Sequence, residues 1–305
     1  MPRYIALKKI IWTNINLTQI RLKSSAVELA YKIHGPSPSP NSIPIFVLHG
    51  LLGSKKNWEN MCKKMTSITN MTVVAVDARN HGDSPHSASH NYKDLAADVS
   101  ALITKFALEK VVIIGHSMGG RTGMVLALTE PSKVASLVVV DISPITTPLV
   151  LSFSFPKLIA TLQTVDFDGI DTLHKAKTAA KDALTKSGIF DTNEEGMYFI
   201  LMNIGKLPDQ SFGWKCNFDA LKQDFHYMSS FPLMKNKIYT GPTLFLGGRL
   251  SSYIPPEDIT GIQKIFPDAK LQYIESAGHN VHAEAPEAFL DAVIQFLSVA
   301  AINLA

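Results

Sequence analysis

A serine stands between glycines in Gly115-His116-Ser117-Met118-Gly119, directly after the apolar run Val111–Gly115 and directly before a segment with helical spacing. Strand, tight turn and helix in that order are the context of the G-x-S-x-G elbow, which lifts a hydroxyl clear of a sheet edge. Gly115 and Gly119 remove the side chains that would collide as the turn closes. A neutral serine is a poor nucleophile, so the pattern demands a base and a group that orients the base, in the chain order serine, acid, histidine.

His279 in "ESAGHNVHAEAP" is the candidate base. It follows the last apolar run, sits beside flexible Gly278, and its imidazole titrates near neutrality in the absence of perturbation. His282 is its rival, set aside because it leads into the closing helix. His116 is expected to pack beside the elbow, and His34, His86, His90, His174 and His226 to be surface or satisfied residues. Two acids compete. Asp141 ends "SLVVVD", one helix beyond Ser117, so a right-handed crossover brings it to the same sheet edge. Asp219 in "KCNFDALK" is the alternative, and Asp141 is preferred because catalytic groups sit on scaffold loops more often than on lids. "GGRLSSYIPP", after the next apolar run, offers no acid before Glu257.

An acyl-transfer site also needs donors for an oxyanion, each worth about 10²–10³ in rate. "HGLLGS" (49–54) follows "IFVL" and supplies the Leu51 N–H; the Met118 N–H at the helix start is the second. In "DARNHGDSPHS" (77–87), Asp77, Arg79 and Asp83 are expected to knit their own loop together by ion pairs.

These residues need a frame. "IFVLH", "TVVAVD", "VVIIG" and "SLVVVD" are apolar on both faces and alternate with helical stretches at 57–67, 92–106 and 118–129, the pattern of parallel strands buried in a doubly wound layer. The alternation stops after Ile142. Residues 144–240 are mainly helical in pattern, with "GMYFILMNIG" apolar enough to line an acyl channel, and the sheet resumes with "PTLFLGG", a helix over 257–266, "KLQYIES" and a closing helix over 286–299. The spacing therefore predicts an α/β fold with a mostly parallel sheet flanked by helices, a core over 25–143 and 241–305, and a helical cap over 144–240 inserted after the sixth strand.

Composition narrows the function. Of 305 residues, 46% are hydrophobic and 18% charged, which suits a globular chain. Five of the 29 Lys and Arg side chains lie in the first 27 residues, which hold no acid, so the body is near neutral and carries no basic stripe for nucleic acid. Residues 1–24 are basic, amphipathic and acid-free, without the ~20 apolar residues of a membrane span. They read as a mitochondrial targeting segment addressed to the matrix, with a cytoplasmic tail as the alternative. Cys62 and Cys216 lack CxxC or Cys/His spacing, which speaks against a disulfide framework or a metal site.

Taken together, "HGLLGSKKNW", "VDARNHGDSPHS", "GHSMGG", "VVVDISP" and "AGHNVHAEAPEAF" resemble the α/β-hydrolase superfamily, and within it the subgroup of abhydrolase domain-containing protein eleven and its bacterial esterase relatives. The similarity runs from about Ser25 to Leu297. It implies acyl-ester hydrolysis, with diacylglycerol or other acyl glycerols as substrate class, and a mitochondrial address; Ser117 and His279 carry over directly. Both the "VVVDISP" and the "NFDAL" aspartates serve as proposed acids in the subgroup, so Asp141 and Asp219 both stay in play.

The expected activity is that of a serine hydrolase needing no cofactor and no metal, acting on a small acyl ester or lipid, with any mitochondrial protein client not legible. The same triad supports C–C bond hydrolysis or lyase chemistry, because a fold does not fix a leaving group. A non-catalytic ligand sensor or protein partner is the reading from outside enzymology.

Overall fold

A computed structural model describes residues 26–147, 149–189 and 194–304. The 1–24 segment lies outside the described residues.

Seven strands form one sheet: β1 (Tyr31–His34), β2 (Ile45–Leu48), β3 (Val73–Val76), β4 (Val111–His116), β5 (Val134–Val140), β8 (Thr243–Gly248) and β9 (Ala269–Ile274), in the spatial order β1-β3-β2-β4-β5-β8-β9. Only β1 runs antiparallel to its neighbour. Every residue of β2 to β5 is buried, as expected for parallel strands covered on both faces. Helices α1 (Glu59–Thr69), α2 (Tyr92–Lys105) and α3 (Met118–Thr129) connect the first strands. Each face of the sheet has its own apolar cluster, one built with α2 and α3, the other with α1 and the closing helix.

Between β5 and β8 lies the insertion: α4 (Leu149–Gln163), α5 (Leu173–Ser187), α6 (Glu194–Leu201), a hairpin of β6 (Ile204–Lys206) and β7 (Phe212–Trp214), then α7 (Phe218–Gln223) and α8 (Phe225–Met228). It owns a third apolar cluster that includes Phe155, Leu162, Leu184, Ile200 and Phe218. Among the described residues this cap follows the fifth strand, which corrects the expectation of a sixth. Before β1 no further strand forms among the described residues: the Val27 and Ala30 N–H groups donate to Asp98 Oδ1 and Ser84 Oγ, both at 2.8 Å. After β8 come the short α9 (Ile259–Ile262), then β9, α10 (Val281–Glu284) and the long α11 (Pro286–Leu304). The helix expected over 257–266 is broken into a 3-10 turn at Pro256–Asp258, the short α9 and backbone turns at Gln263–Phe266.

The strand order reverses between β2 and β4, the place where open α/β sheets bind ligands at the carboxyl rim. Register puts Leu48 opposite Gly115, Gly115 opposite Val139, and Val140 opposite Leu246. The loops after β2, β4, β5 and β8 therefore leave one rim side by side.

Candidate active site

Ser117 occupies the elbow between β4 and α3 at φ 50 and ψ −114, a left-handed conformation an L residue keeps only when its surroundings enforce it. They do. Its N–H donates to Val140 O at 2.9 Å and its C=O accepts from Arg121 N at 3.0 Å. A Cβ at Gly115 would lie 2.3 Å from Gly119 O, and one at Gly119 would lie 2.3 Å from Leu48 O. Both glycines are thus fixed by backbone packed against backbone.

Asp141, the residue after β5, also has positive φ, 48, and is fully buried. Its carboxylate receives three donors: His279 Nδ1–H at 2.7 Å, Ser251 Oγ–H at 2.5 Å and Gly248 N–H at 3.0 Å. The first commits the Nδ1 of His279 and leaves Nε2 as its basic nitrogen. His279 is tied to the elbow from the side, because His116 Nε2–H donates to His279 O at 2.9 Å and the two rings lie 4.7 Å apart. Tyr253 also stacks on the His279 ring, centroids 3.8 Å apart at 25°. Asp219 is elsewhere: exposed on α7, it accepts from Gln163 Nε2 at 3.2 Å within the cap. His282, the rival base, is buried and stacked on Trp58 at 3.9 Å.

Met118 is the first residue of α3, where an N–H has no partner one turn back. The 49–54 loop closes against the elbow so tightly that a Cβ on Gly50 would reach within 3.5 Å of Ser117 Cβ. Leu51 thereby stands beside the elbow, and its N–H belongs to the peptide unit whose carbonyl, Gly50 O, accepts from His49 Nδ1–H at 2.7 Å and from Gly53 N–H at 2.9 Å. In a trans peptide the N–H points away from its own C=O. Holding Gly50 O therefore directs the Leu51 N–H the opposite way.

Sequence reading missed the buried histidines behind this loop. His49 and His81 received no role, and His90, expected on the surface or satisfied, is fully buried with Nε2 lacking a partner. The rings of His49 and His81 lie 5.2 Å apart, those of His81 and His90 5.3 Å. His49 Nε2 accepts from Ala78 N–H at 3.0 Å and His81 Nε2 from Leu52 N–H at 3.1 Å, so both rings are neutral Nδ1–H tautomers. Burial lowers the pKa of each, and holds His90 and His282 down to about 3. His116 is pushed well below its ordinary value by burial and then by His279 and His282. Histidine followed by glycine recurs at His49 and His81, but His81 lies well beyond the end of β3 at Val76 and nothing local marks either ring as buried.

The ion pairs of the 77–87 loop reach outward, not within the loop as expected. Arg79 grips Asp98 of α2, Nε to Oδ2 at 2.6 Å, Asp77 binds Lys55, and Asp83 binds both Lys55 and Lys215 of the cap. Asn217 N–H to Asn80 O at 3.0 Å and His90 N–H to Asp224 Oδ2 at 2.6 Å seat the cap on the same loop. The cap is pinned a second time at its neck. The guanidinium of Arg121, 1% exposed, donates to Ser143 O and Thr146 O where the chain enters the cap and to Met228 O and Ser229 O where it leaves. The apolar α6 segment proposed for an acyl channel mostly fills the cap's own core through Met197, Ile200 and Leu201, while the Phe199 ring reaches the loop at Gly53.

Among the described residues no cluster of His, Cys, Asp or Glu is arranged to hold a metal ion, and no helix is long and apolar enough to cross a membrane. Both cysteines are free and buried.

An elbow serine and a histidine–aspartate pair thus lie at the carboxyl rim of a mostly parallel sheet. The chain belongs to the α/β hydrolase fold family, which it matches over residues 43–286. It is 40% identical over 256 residues to the mouse protein named sn-1-specific diacylglycerol lipase ABHD11, covering 83% of this chain and 80% of that one. The zebrafish protein of the same name is 36% identical over 274 residues, 90% and 84% of the two chains. Among solved structures, a marine microorganism esterase superposes with a TM-score of 0.77 at 35% identity, covering 88% of this chain and 99% of that one.

Proposed function

We propose that this chain is a serine hydrolase of carboxylic esters, acting on acyl glycerols of the diacylglycerol class through a Ser117–His279–Asp141 triad and an acyl-enzyme. Ester hydrolysis is the activity carried in the names of the mouse and zebrafish relatives and of the superposing esterase. The observation that carries the mechanism is the 2.7 Å bond from His279 Nδ1–H to the buried Asp141 carboxylate, at the rim where Ser117 stands on its elbow.

In this reading His279 Nε2 takes the Ser117 proton as Oγ bonds to the ester carbonyl carbon. The negative charge on the tetrahedral oxygen is met by the Leu51 and Met118 N–H groups. The imidazolium, opposed by Asp141, returns its proton to the departing glycerol oxygen, leaving the acyl group on Ser117. Water then repeats the sequence, giving its proton to His279 and its oxygen to the acyl carbon, and releases the fatty acid and free Ser117.

Purified protein lacking residues 1–24 should hydrolyse short p-nitrophenyl esters and diacylglycerol, and a fluorophosphonate probe should label it. Ser117→Ala should abolish both turnover and labelling. A wild type that neither turns over esters nor takes the probe overturns the reading in favour of a sensor. The same reading takes the acid-free basic leader as a mitochondrial address; import of the full chain into isolated mitochondria with removal of the leader supports it, and protein left outside and unprocessed refutes it.

A further inference from the structure

Leu52, next to the proposed oxyanion donor Leu51, has φ 58, a conformation a bulky side chain does not keep unaided. It is held from two sides. On the sheet side its N–H donates to His81 Nε2 at 3.1 Å, and the His81 Nδ1–H donates to Arg79 O at 3.0 Å, which fixes the accepting tautomer. On the cap side, the buried amide of Asn203 donates through Nδ2 to Leu52 O, while the Leu52 side chain joins the apolar cluster of the cap. Asn203 is itself fixed, its N–H donating to Ile200 O and its C=O accepting from Lys215 N, both at 2.9 Å.

Planar peptides connect these bonds into a relay. Leu52 O and the Gly53 N–H belong to one peptide and point oppositely. Drawing Leu52 O toward Asn203 aims the Gly53 N–H at Gly50 O, which it meets at 2.9 Å. Gly50 O and the Leu51 N–H belong to another peptide, so capture of that carbonyl turns the Leu51 N–H into the site. Because this rests on the ester-hydrolase reading above, we infer that Asn203, a residue of the cap, is a positioning residue for the oxyanion hole: the seated cap orients the Leu51 donor through Leu52 and Gly53. The cap is then part of the catalytic apparatus as well as its roof.

The test is a comparison of substrate and oxyanion binding in Asn203→Leu and in the isosteric Asn203→Asp, which no longer donates to Leu52 O. Loss of an oxyanion donor outright lowers rate about 10²–10³-fold, so a misaimed one should lower kcat about tenfold with KM within about twofold. Affinity for an aryl trifluoromethyl ketone, whose adduct with Ser117 carries the oxyanion, should fall by the same factor as kcat/KM. Affinity for the matching non-hydrolysable ether should hold. His81→Leu, which cuts the other tether of Leu52, should give the same signature, and melting curves identify any variant that fails to fold. A variant whose KM alone rises, or whose ketone and ether affinities change in parallel, overturns the inference while leaving the hydrolase reading intact. A wild type without esterase activity overturns both.

Discussion

Replacing Asp141 by Asn removes one charge and exchanges one oxygen for an NH2 group, and the surroundings dictate which way the amide sits. Gly248 N–H, 3.0 Å from Oδ1, is a backbone donor with no freedom to turn, so the amide oxygen must face it. The NH2 group then occupies the Oδ2 position, where His279 Nδ1 at 2.7 Å and the Ser251 hydroxyl at 2.5 Å both donate in the wild type. The hydroxyl rotates to accept. The imidazole accommodates by taking the Nε2–H tautomer, which places a proton on the nitrogen meant to receive one from Ser117. Tautomer reversal of this kind in a serine triad costs about 10⁴ in kcat, or about 5.5 kcal/mol of barrier. Asp219→Asn, exposed and, among the described residues, bonded to Gln163 alone, should stay within about twofold of wild type. Both variants are assayed near neutral pH by p-nitrophenyl butyrate turnover and by the rate of fluorophosphonate labelling. If Asp141→Asn keeps more than about a tenth of the wild-type kcat, or if Asp219→Asn is the variant that collapses, the assignment of the acid is wrong.

Tyr253→Leu should lower kcat two- to fivefold, since an aromatic face against an imidazolium contributes about 0.5–1 kcal/mol, whereas Tyr253→Phe should match wild type; equal kcat in all three refutes the stacking role. Gly119→Ala forces a Cβ to 2.3 Å from Leu48 O and should cost about 3 kcal/mol or more, read as a melting point lower by about 5 °C or as loss of soluble protein; an unchanged melting curve would contradict the elbow packing. His90 and His282, held neutral by burial with pKa values of about 3, take up protons only on unfolding between that value and the ordinary ~6.5. Stability is therefore full above about pH 6.5 and falls as pH drops toward 3, by up to about 1.4 kcal/mol per pH unit for each histidine. Urea midpoints at pH 7 and pH 5 measure the slope, His282→Phe should flatten it, and an unaltered slope in that variant rules out His282 as a contributor.

The frame was legible because buried parallel strands need short continuous apolar runs, and "IFVL", "VVAV" and "VVIIG" are short and rich in β-branched residues. The elbow was legible because its glycines are required by backbone contact. Asp141 was reachable by topology, since one crossover brings consecutive parallel strands to the same rim. Ser251 and Tyr253 were not: they lie in an irregular loop of common loop residues, and their partners are distant in the chain. His49, His81 and His90 escaped for a related reason, as a buried imidazole is satisfied by whichever backbone groups the fold brings near, and no local pattern encodes them. The cap hairpin was overlooked because "NIGK" continues the apolar run of α6 and conceals the change of period.

The chain leaves for the cap and returns from it past the same guanidinium, that of Arg121 on α3. Both ends of the insertion are thus anchored at one buried side chain of the core, while Lys215, Asn217 and Asp224 seat its body on the loop after β3. Cap sequence between those ends that does not touch the core is at liberty to change without altering how β5 meets β8, so the shape of the cap and the folding of the sheet are free to diverge at separate rates, within the limits set by Asn203, Lys215, Asn217 and Asp224.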